Sequence, residues 1–334
     1  MKHLLFPIFL LLIVACKNDP AVSTKTEEKP TPSGPIKVPA FSKDSAYQYV
    51  AQQVAFGPRV PGTDAHQATR EWLVAKLKST GASVKEQTFK AKTSTIGEVR
   101  AANIIASFNP TYARRVVLAA HWDTRYVADE DDINADKPHD GADDGGSGVA
   151  VLLEIARLLN ENPISMGVDI ILFDAEDQGA SGSGPETWCL GSQYWSHNPH
   201  VKSYRAEYGI LLDMVGAKGA EFKKEQLVGF FPPSKVSKIS KVYDRVWALA
   251  RGMNKSAYFL DVYTGPVTDD HYFVNLHTEI PMIDIIYKST EHSTGFGAHW
   301  HTHDDNMEVI DANTLGTVGQ VVTAFLYNSS KAPL

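Results

Sequence analysis

Residues 141–177 read GADDGGSGVAVLLEIARLLNENPISMGVDIILFDAED, and two periodicities meet in that stretch. Val151, Leu152, Ile155, Leu158 and Leu159 recur at helical spacing, which predicts an amphipathic helix over 147–160. Val168–Phe173 is then apolar with too little alternation for one face to meet water, so it predicts a strand buried on both sides. Val116–Ala120, Tyr208–Met214 and Pro281–Tyr287 repeat that buried-strand pattern, and Val84–Phe89 and Asn103–Phe108 read as further strands. Helices are expected over Ser45–Phe56, His66–Ser79, Lys241–Met253 and Asn313–Tyr327, the second carrying Trp72, Leu73 and Leu77 before a Gly81 stop. Buried strands separated by helices imply a three-layer α/β/α sandwich around a central mixed, largely parallel sheet.

The polar residues fall where such a sheet binds ligands. His121 and Asp123 follow the strand 116–120, Glu176 and Asp177 follow 168–173, and Asp213 ends the strand before it. Ligands of open α/β sheets sit beyond the carboxyl ends of the strands, so these groups are expected to gather at one edge. Asp144 precedes Gly145-Gly146-Ser147-Gly148 at a helix start, where the helix dipole favours the ionised carboxylate that a metal needs. A single strand-end carboxylate is an ordinary solvated or capping group. Five such groups, with His299, His301 and His303 nearby in the late sequence, point to a metal site. No His-Glu-x-x-His helix, Gly-x-Ser-x-Gly elbow, Walker loop or dinucleotide glycine fingerprint occurs.

Composition agrees with an enzyme-sized body. The 334 residues are 43% hydrophobic and 21% charged, enough for one large core in one or two domains. With 32 Lys and Arg against 39 Asp and Glu, net charge −7 and no basic block, nucleic acid is not expected as a partner. Two cysteines, Cys16 and Cys189, cannot form a disulfide scaffold or a four-cysteine zinc site. Leu4–Val14 is apolar but far short of the ~20 residues that span a bilayer, and reads as a signal-peptide core. Ile13-Val14-Ala15-Cys16 has the pattern of a bacterial lipoprotein cleavage site, with Cys16 as the lipidation point; ordinary secretory cleavage near Ala15 is the alternative. Removing residues 1–15 deletes one positive charge, Lys2, and leaves −8. Residues 16–40, rich in Pro, Thr, Glu and Lys, are expected to be a disordered tether, and 41–334 a single catalytic domain on the periplasmic side of a membrane.

The motifs together carry a resemblance. His121-Trp-Asp123-Thr, Gly141-Ala-Asp-Asp144-Gly-Gly-Ser-Gly148, Phe173-Asp-Ala-Glu176-Asp177, Asp213 and a late His-Thr resemble the zinc aminopeptidase superfamily. Trp300-His301-Thr302-His303-Asp304-Asp305-Asn306, the Leu211-Leu-Asp213 strand end and Thr268-Asp269-Asp270-His271 more narrowly resemble the animal-type (type II) zinc-dependent glutaminyl cyclases, particularly their bacterial periplasmic relatives. Phe56-Gly-Pro-Arg-Val-Pro-Gly62 matches a segment usual in the superfamily, read as a rigid turn. The similarity covers roughly residues 41–334.

That resemblance implies one zinc per chain held by Asp144, Asp177 and His301, an open three-ligand arrangement. Asp144 is chosen over Asp143 by its place three residues before Ser147; Asp177 departs from the Glu of the animal enzymes. Glu176 is implied as general acid/base, Asp213 as the ligand of the substrate α-amine and Asp269 as its proton-sharing partner. Trp188, Trp300 and Asp284 are implied at the substrate pocket, Asp284 standing where the animal enzymes have His. Cys189, with no zinc role in the family pattern, reads as a small buried side chain. The implied reaction converts N-terminal glutamine of peptides and exported proteins to pyroglutamate, by a monomer touching the membrane only through its lipid anchor. A two-zinc aminopeptidase, with His121 and Asp213 on a second metal and Asp144 bridging, is the rival reading. A non-catalytic peptide-binding lipoprotein is the other.

Overall fold

The computed structural model describes Met1 and residues 37–332; the expected signal, Cys16 and most of the expected tether lie outside the described residues. Along the chain run α1 (Lys43–Val54), α2 (Asp64–Ser79), β1 (Ser83–Lys92), β2 (Glu98–Phe108), β3 (Arg115–His121), α3 (Gly146–Glu161) and β4 (Gly167–Phe173). A 3-10 turn (Pro185–Thr187) and α4 (Leu190–His197) precede β5 (Gly209–Asp213), β6 (Phe222–Glu225) and α5 (Pro233–Gly252). Then come β7 (Phe259–Thr264), α6 (Asp270–His277), β8 (Met282–Ile286) and α7 (Ala312–Ser329).

Six strands form the main sheet in the order β1-β2-β4-β3-β5-β8. Four of them, β4, β3, β5 and β8, run parallel, β3 pairing with β4 and β5, and β5 with the edge strand β8, while β1 and β2 form an antiparallel hairpin added beside β4. The sheet is therefore mixed and largely parallel, as its buried strands predict. Alternate residues go to opposite faces. Val116, Leu118 and Ala120 join one core with α1, α2, α3, α5 and α7, whereas Val117 and Ala119 join a second core with Trp195 of α4 and Val274 of α6. Both faces are thus covered, which makes three layers. Each such fully buried Val, Ile or Leu contributes roughly 1.5–3 kcal/mol of hydrophobic stabilisation.

Helices α1 and α2 start on signals present in the sequence. Ser42 and Thr63 cap α1 and α2 by accepting from Ser45 N–H and His66 N–H, and Gly81, at φ +76°, follows the end of α2. Helix α5 begins eight residues before the periodicity suggests, at Pro233 in its first turn. The short elements β6, β7, α4 and α6 are additional to the predicted ones. A four-residue strand and eight-residue helices hold too few apolar repeats to show a period. Among the described residues no helix is long and apolar enough to cross a membrane. The last residues assigned to the tether touch the body: Val38 packs on the larger core, and Gln320 Nε2 donates to the Pro39 carbonyl.

Candidate active site

Strands β3, β4 and β5 end at one edge, and their carboxyl ends deliver His121, the loop bearing Glu176 and Asp177, and Asp213. Facing them, the 141–146 loop brings Asp144 to the start of α3. Gly145 adopts φ +81° there, and Gly148 is so close to β5 that an added Cβ would sit 2.1 Å from the Leu212 carbonyl oxygen. The Phe56–Gly62 turn holds this loop from behind. Arg59, fully buried, donates to the Asp140 and Gly141 carbonyls, and Thr124 N–H donates to the Arg59 carbonyl.

Asp144, Glu176, Asp177, Asp213, Asp269, Trp188, Trp300 and His301 line one cavity of about 330 Å³. Within it Asp144, Asp177 and His301 each offer a ligand atom, all within 4.8 Å of one another. His301 Nε2 lies 3.1 Å from Asp177 Oδ1 and 3.7 Å from Asp144 Oδ2. Asp177 Oδ2 is buried and has no hydrogen-bond partner. Two carboxylates and one imidazole converging on a point, with one buried oxygen unsatisfied, fit a divalent metal of zinc type with an open position. Asp143 is occupied elsewhere: its Oδ1 accepts from Gly216 N–H at 2.7 Å and its Oδ2 faces His299 Nε2 at 2.9 Å.

The ligand atoms are aimed by a surrounding layer. His301 Nδ1 faces Asp129 Oδ1 at 3.1 Å, and Arg125 grips both Asp129 oxygens at 2.7 and 2.6 Å while donating to the Asp177 and Gly179 carbonyls. Asp305 accepts from Asp143 N–H and Asp144 N–H at 2.7 and 3.1 Å. Asp123 accepts from Glu176 N–H and Asp177 N–H at 3.0 and 3.3 Å and from Gln178 Nε2 at 3.1 Å. Carboxylates behind a metal-binding histidine fix its ring and raise its basicity. Asp129 and Arg125 carry no motif in the sequence, although Asp129 lies in an acidic run, Asp129-Glu-Asp-Asp132, that marks a charged loop near the motifs, and Asp305 belongs to the Trp300–Asn306 motif without a role of its own there.

Glu176 lines the cavity beside, not within, the three-ligand set. Its Oε1 accepts from the Cys189 thiol at 3.1 Å, and its backbone carbonyl accepts from Cys189 N–H at 2.8 Å. Cys189 is buried as expected, yet it touches the chemistry. Burial and the nearby Asp269 and Asp177 push the Glu176 carboxyl well above the usual range, His121 opposing. Asp213 is pushed up to about 7, by burial first, against its hydrogen bond to His121.

Two expected site residues stand behind the cavity wall. His121 Nε2 bridges Asp144 Oδ1 at 3.0 Å and Asp213 Oδ1 at 3.1 Å. Burial pulls its pKa down, but hydrogen bonds to Asp123, Asp144 and Asp213 outweigh that and raise it well above the ordinary imidazole value. Asp284, expected at the pocket, sits inside β8 and does not line the cavity; it approaches Asp269 and His271 from behind. The reason is register: Asp284 pairs with Leu211 two rungs below the strand end, so its side chain stays under the site. His271 in turn meets Glu225 at 2.7 Å, and Glu225 accepts from Tyr243 OH at 3.0 Å and Val267 N–H at 2.7 Å. The small β6–β7 sheet thereby fixes the segment that carries Asp269.

A model of peptidase family M28 matches residues 103–326. The chain is 49% identical to Porphyromonas gingivalis glutaminyl cyclase, with a TM-score of 0.82 over 86% of this chain and 99% of that one. It is 47% identical to a Zn-dependent exopeptidase from Parabacteroides distasonis, with a TM-score of 0.83 over 87% and 100%. Bovine glutaminyl-peptide cyclotransferase is 26% identical over 301 residues, 80% of this chain and 77% of that protein. The chain therefore belongs to peptidase family M28, an α/β metalloenzyme class, and within it to the group that includes the bacterial glutaminyl cyclases.

Proposed function

We propose that this protein is a glutaminyl-peptide cyclotransferase that converts N-terminal glutamine to pyroglutamate and releases ammonia, with one zinc on Asp144, Asp177 and His301. The observation that carries the reading is Glu176, held in the same cavity as an open three-ligand cluster by Cys189 and left out of the cluster itself. The 49% identity to Porphyromonas gingivalis glutaminyl cyclase supports it. Zinc, when bound, supplies Lewis-acid polarisation of the substrate side-chain carbonyl.

The remaining steps belong to the chain. Asp213 and Asp269 hold the α-amine, and sharing one proton keeps the pair from ionising twice in a buried space. The amine nitrogen bonds to the side-chain carbonyl carbon, and the bond from that carbon to the amide nitrogen breaks. Glu176 takes the proton lost by the attacking nitrogen and gives it to the departing ammonia. Trp188 and Trp300 wall the pocket; the Trp300 ring stacks on His301 at 3.7 Å and restricts its rotation.

The second reading, a two-zinc aminopeptidase, is favoured by one observation: His121, Asp144 and Asp213 also offer ligand atoms within 4.8 Å of each other. Against it, His121 Nε2 lies within hydrogen-bond distance of both carboxylates, 3.0 Å from Asp144 Oδ1 and 3.1 Å from Asp213 Oδ1, so the three residues already satisfy one another directly. Metal content measured beside a Gln-peptide assay separates the two. One zinc per chain with ammonia release is expected, and two zincs with release of free amino acids would overturn the proposal. Export to the periplasmic side on a lipidated Cys16, and a monomeric state, complete the proposal. The apolar run Leu4–Val14 and the residues before Cys16 support the first. A diacylated N-terminal cysteine in the mature protein's mass spectrum would test it.

A further inference from the structure

We propose that Lys288 sets substrate preference by pairing with an acidic side chain at the second or third position of the peptide, the N-terminal glutamine being the first. The proposal deepens the cyclase reading and rests on it. Five carboxylates line the cavity, Asp144, Glu176, Asp177, Asp213 and Asp269, and Lys288 is the lysine or arginine among the lining residues. The cavity wall therefore carries both signs, one cation against five carboxylates. The carboxylates suit the α-amine of the reacting residue. An acidic side chain further along the peptide would be repelled by them, and the ammonium is the lining group that receives it.

Its position follows from an aromatic rail. Trp300 stacks on His301 at 3.7 Å, Phe296 lies 4.7 Å from Trp300, and Lys288 Nζ sits 3.8 Å from the Phe296 centroid. Trp300, Phe296 and Lys288 all line the cavity, so these contacts connect the ligand His301 to Lys288 along its wall. Taken end to end, these contacts put the ammonium no farther from the His301 ring than three to four residues of extended chain can reach, at ~3.3–3.6 Å per residue. A peptide with glutamine at Glu176 and Asp213 thus brings its second or third side chain to the ammonium.

Lys288 also lacks what its neighbours have. Lys224 pairs with Asp244 and Asp261, and Lys223 with Glu221, whereas no carboxylate of the described residues lies within 4.0 Å of Lys288 Nζ. The side chain is half-buried, and burial lowers its pKa. A half-desolvated cation with an aromatic face on one side and no counter-ion gains when a carboxylate arrives.

The test uses C-terminally amidated peptides, Gln-Ala-Ala-Ala, Gln-Glu-Ala-Ala, Gln-Ala-Glu-Ala and Gln-Ala-Lys-Ala, assayed for ammonia release at low salt. Glutamate at the second or third position should lower KM about three- to tenfold relative to alanine, and added salt should shrink that ratio. Lys288→Met should bring the ratio to about one, Lys288→Arg should keep it, and Lys288→Glu should turn it in favour of the lysine peptide. Equal KM values in the wild-type enzyme, or a preference that survives Lys288→Met in a protein of unchanged Tm, would overturn the assignment. Ammonia release without an acidic preference removes Lys288 alone; no release from any peptide removes the cyclase reading and this inference together.

Discussion

Glu176 and Asp177 are consecutive, yet one faces a thiol and the other an imidazole. Ala175, at φ +55°, twists the chain just before them, and Asp123 fixes the twist by accepting both amide hydrogens. His301 is likewise held at φ +56°, a left-handed conformation that costs energy for a residue with a Cβ and that tertiary contacts must support. Glu176→Gln keeps the shape and removes the acid/base function, so turnover should fall by about 10²–10⁴-fold with zinc content unchanged. Loss of zinc from that variant would mean the two roles are exchanged. Asp129→Asn should instead leave Glu176 intact and weaken metal affinity, about 10–100-fold, which competition with a chelator would measure. The sequence pointed to Glu176 and Asp177 because they share a strand end. It did not reveal that Asp129 pairs with His301, 172 positions away, because a partner so distant leaves no spacing to read.

At the scale of elements, α3 and β5 approach each other closely enough to demand a glycine. The α3 terminus presents Asp144 only because Gly148 lets the helix backbone approach the Leu212 carbonyl. Gly148→Ala should therefore destabilise the protein by about 1–3 kcal/mol, as overpacking does, and also displace Asp144. Denaturant unfolding checks the first effect and zinc content the second; a variant of wild-type stability and full zinc content would show that the approach is not limiting. Elements α3 and β4 were legible because each buries a long stretch of its own sequence, thirteen residues of α3 being buried. Helices α4 and α6 were not. The residue before α4, Cys189, is left-handed and provides no side-chain cap, and α6 is capped by Asp269, a residue read in the sequence for its chemistry.

For the whole molecule, the site is a store of buried charge whose balance depends on pH. Asp213 is pushed up to about 7 and Asp305 to about 8, in each case by burial first. His301 loses by burial but is raised to about 9 by Asp177 and Asp129. All three hold their protons to higher pH in the folded chain than in the unfolded one, so their contribution is present at low pH and is lost as pH rises through these values. His139, lowered to about 3 by burial, acts in the opposite sense only below its ordinary value of 6.5. The metal-free chain should therefore lose Tm between about pH 6.5 and 9, and added zinc should raise Tm more at the upper end. A metal-free Tm that is flat or rises over that interval would contradict this protonation pattern. The sequence by itself determined the layered α/β class, the edge of the sheet where chemistry gathers and the residue types of the metal cluster. The first two follow from hydrophobic period and from the rule that ligands bind beyond strand ends, both of which are local or nearly so, and the third from the resemblance that the motifs carry. Only the tertiary structure decided that Asp284 lies behind the wall, that Cys189 holds Glu176, that Asp129 backs His301 and that Lys288 faces the cavity. Those relations join side chains far apart in sequence, and they depend on strand register and loop path, which no periodicity encodes.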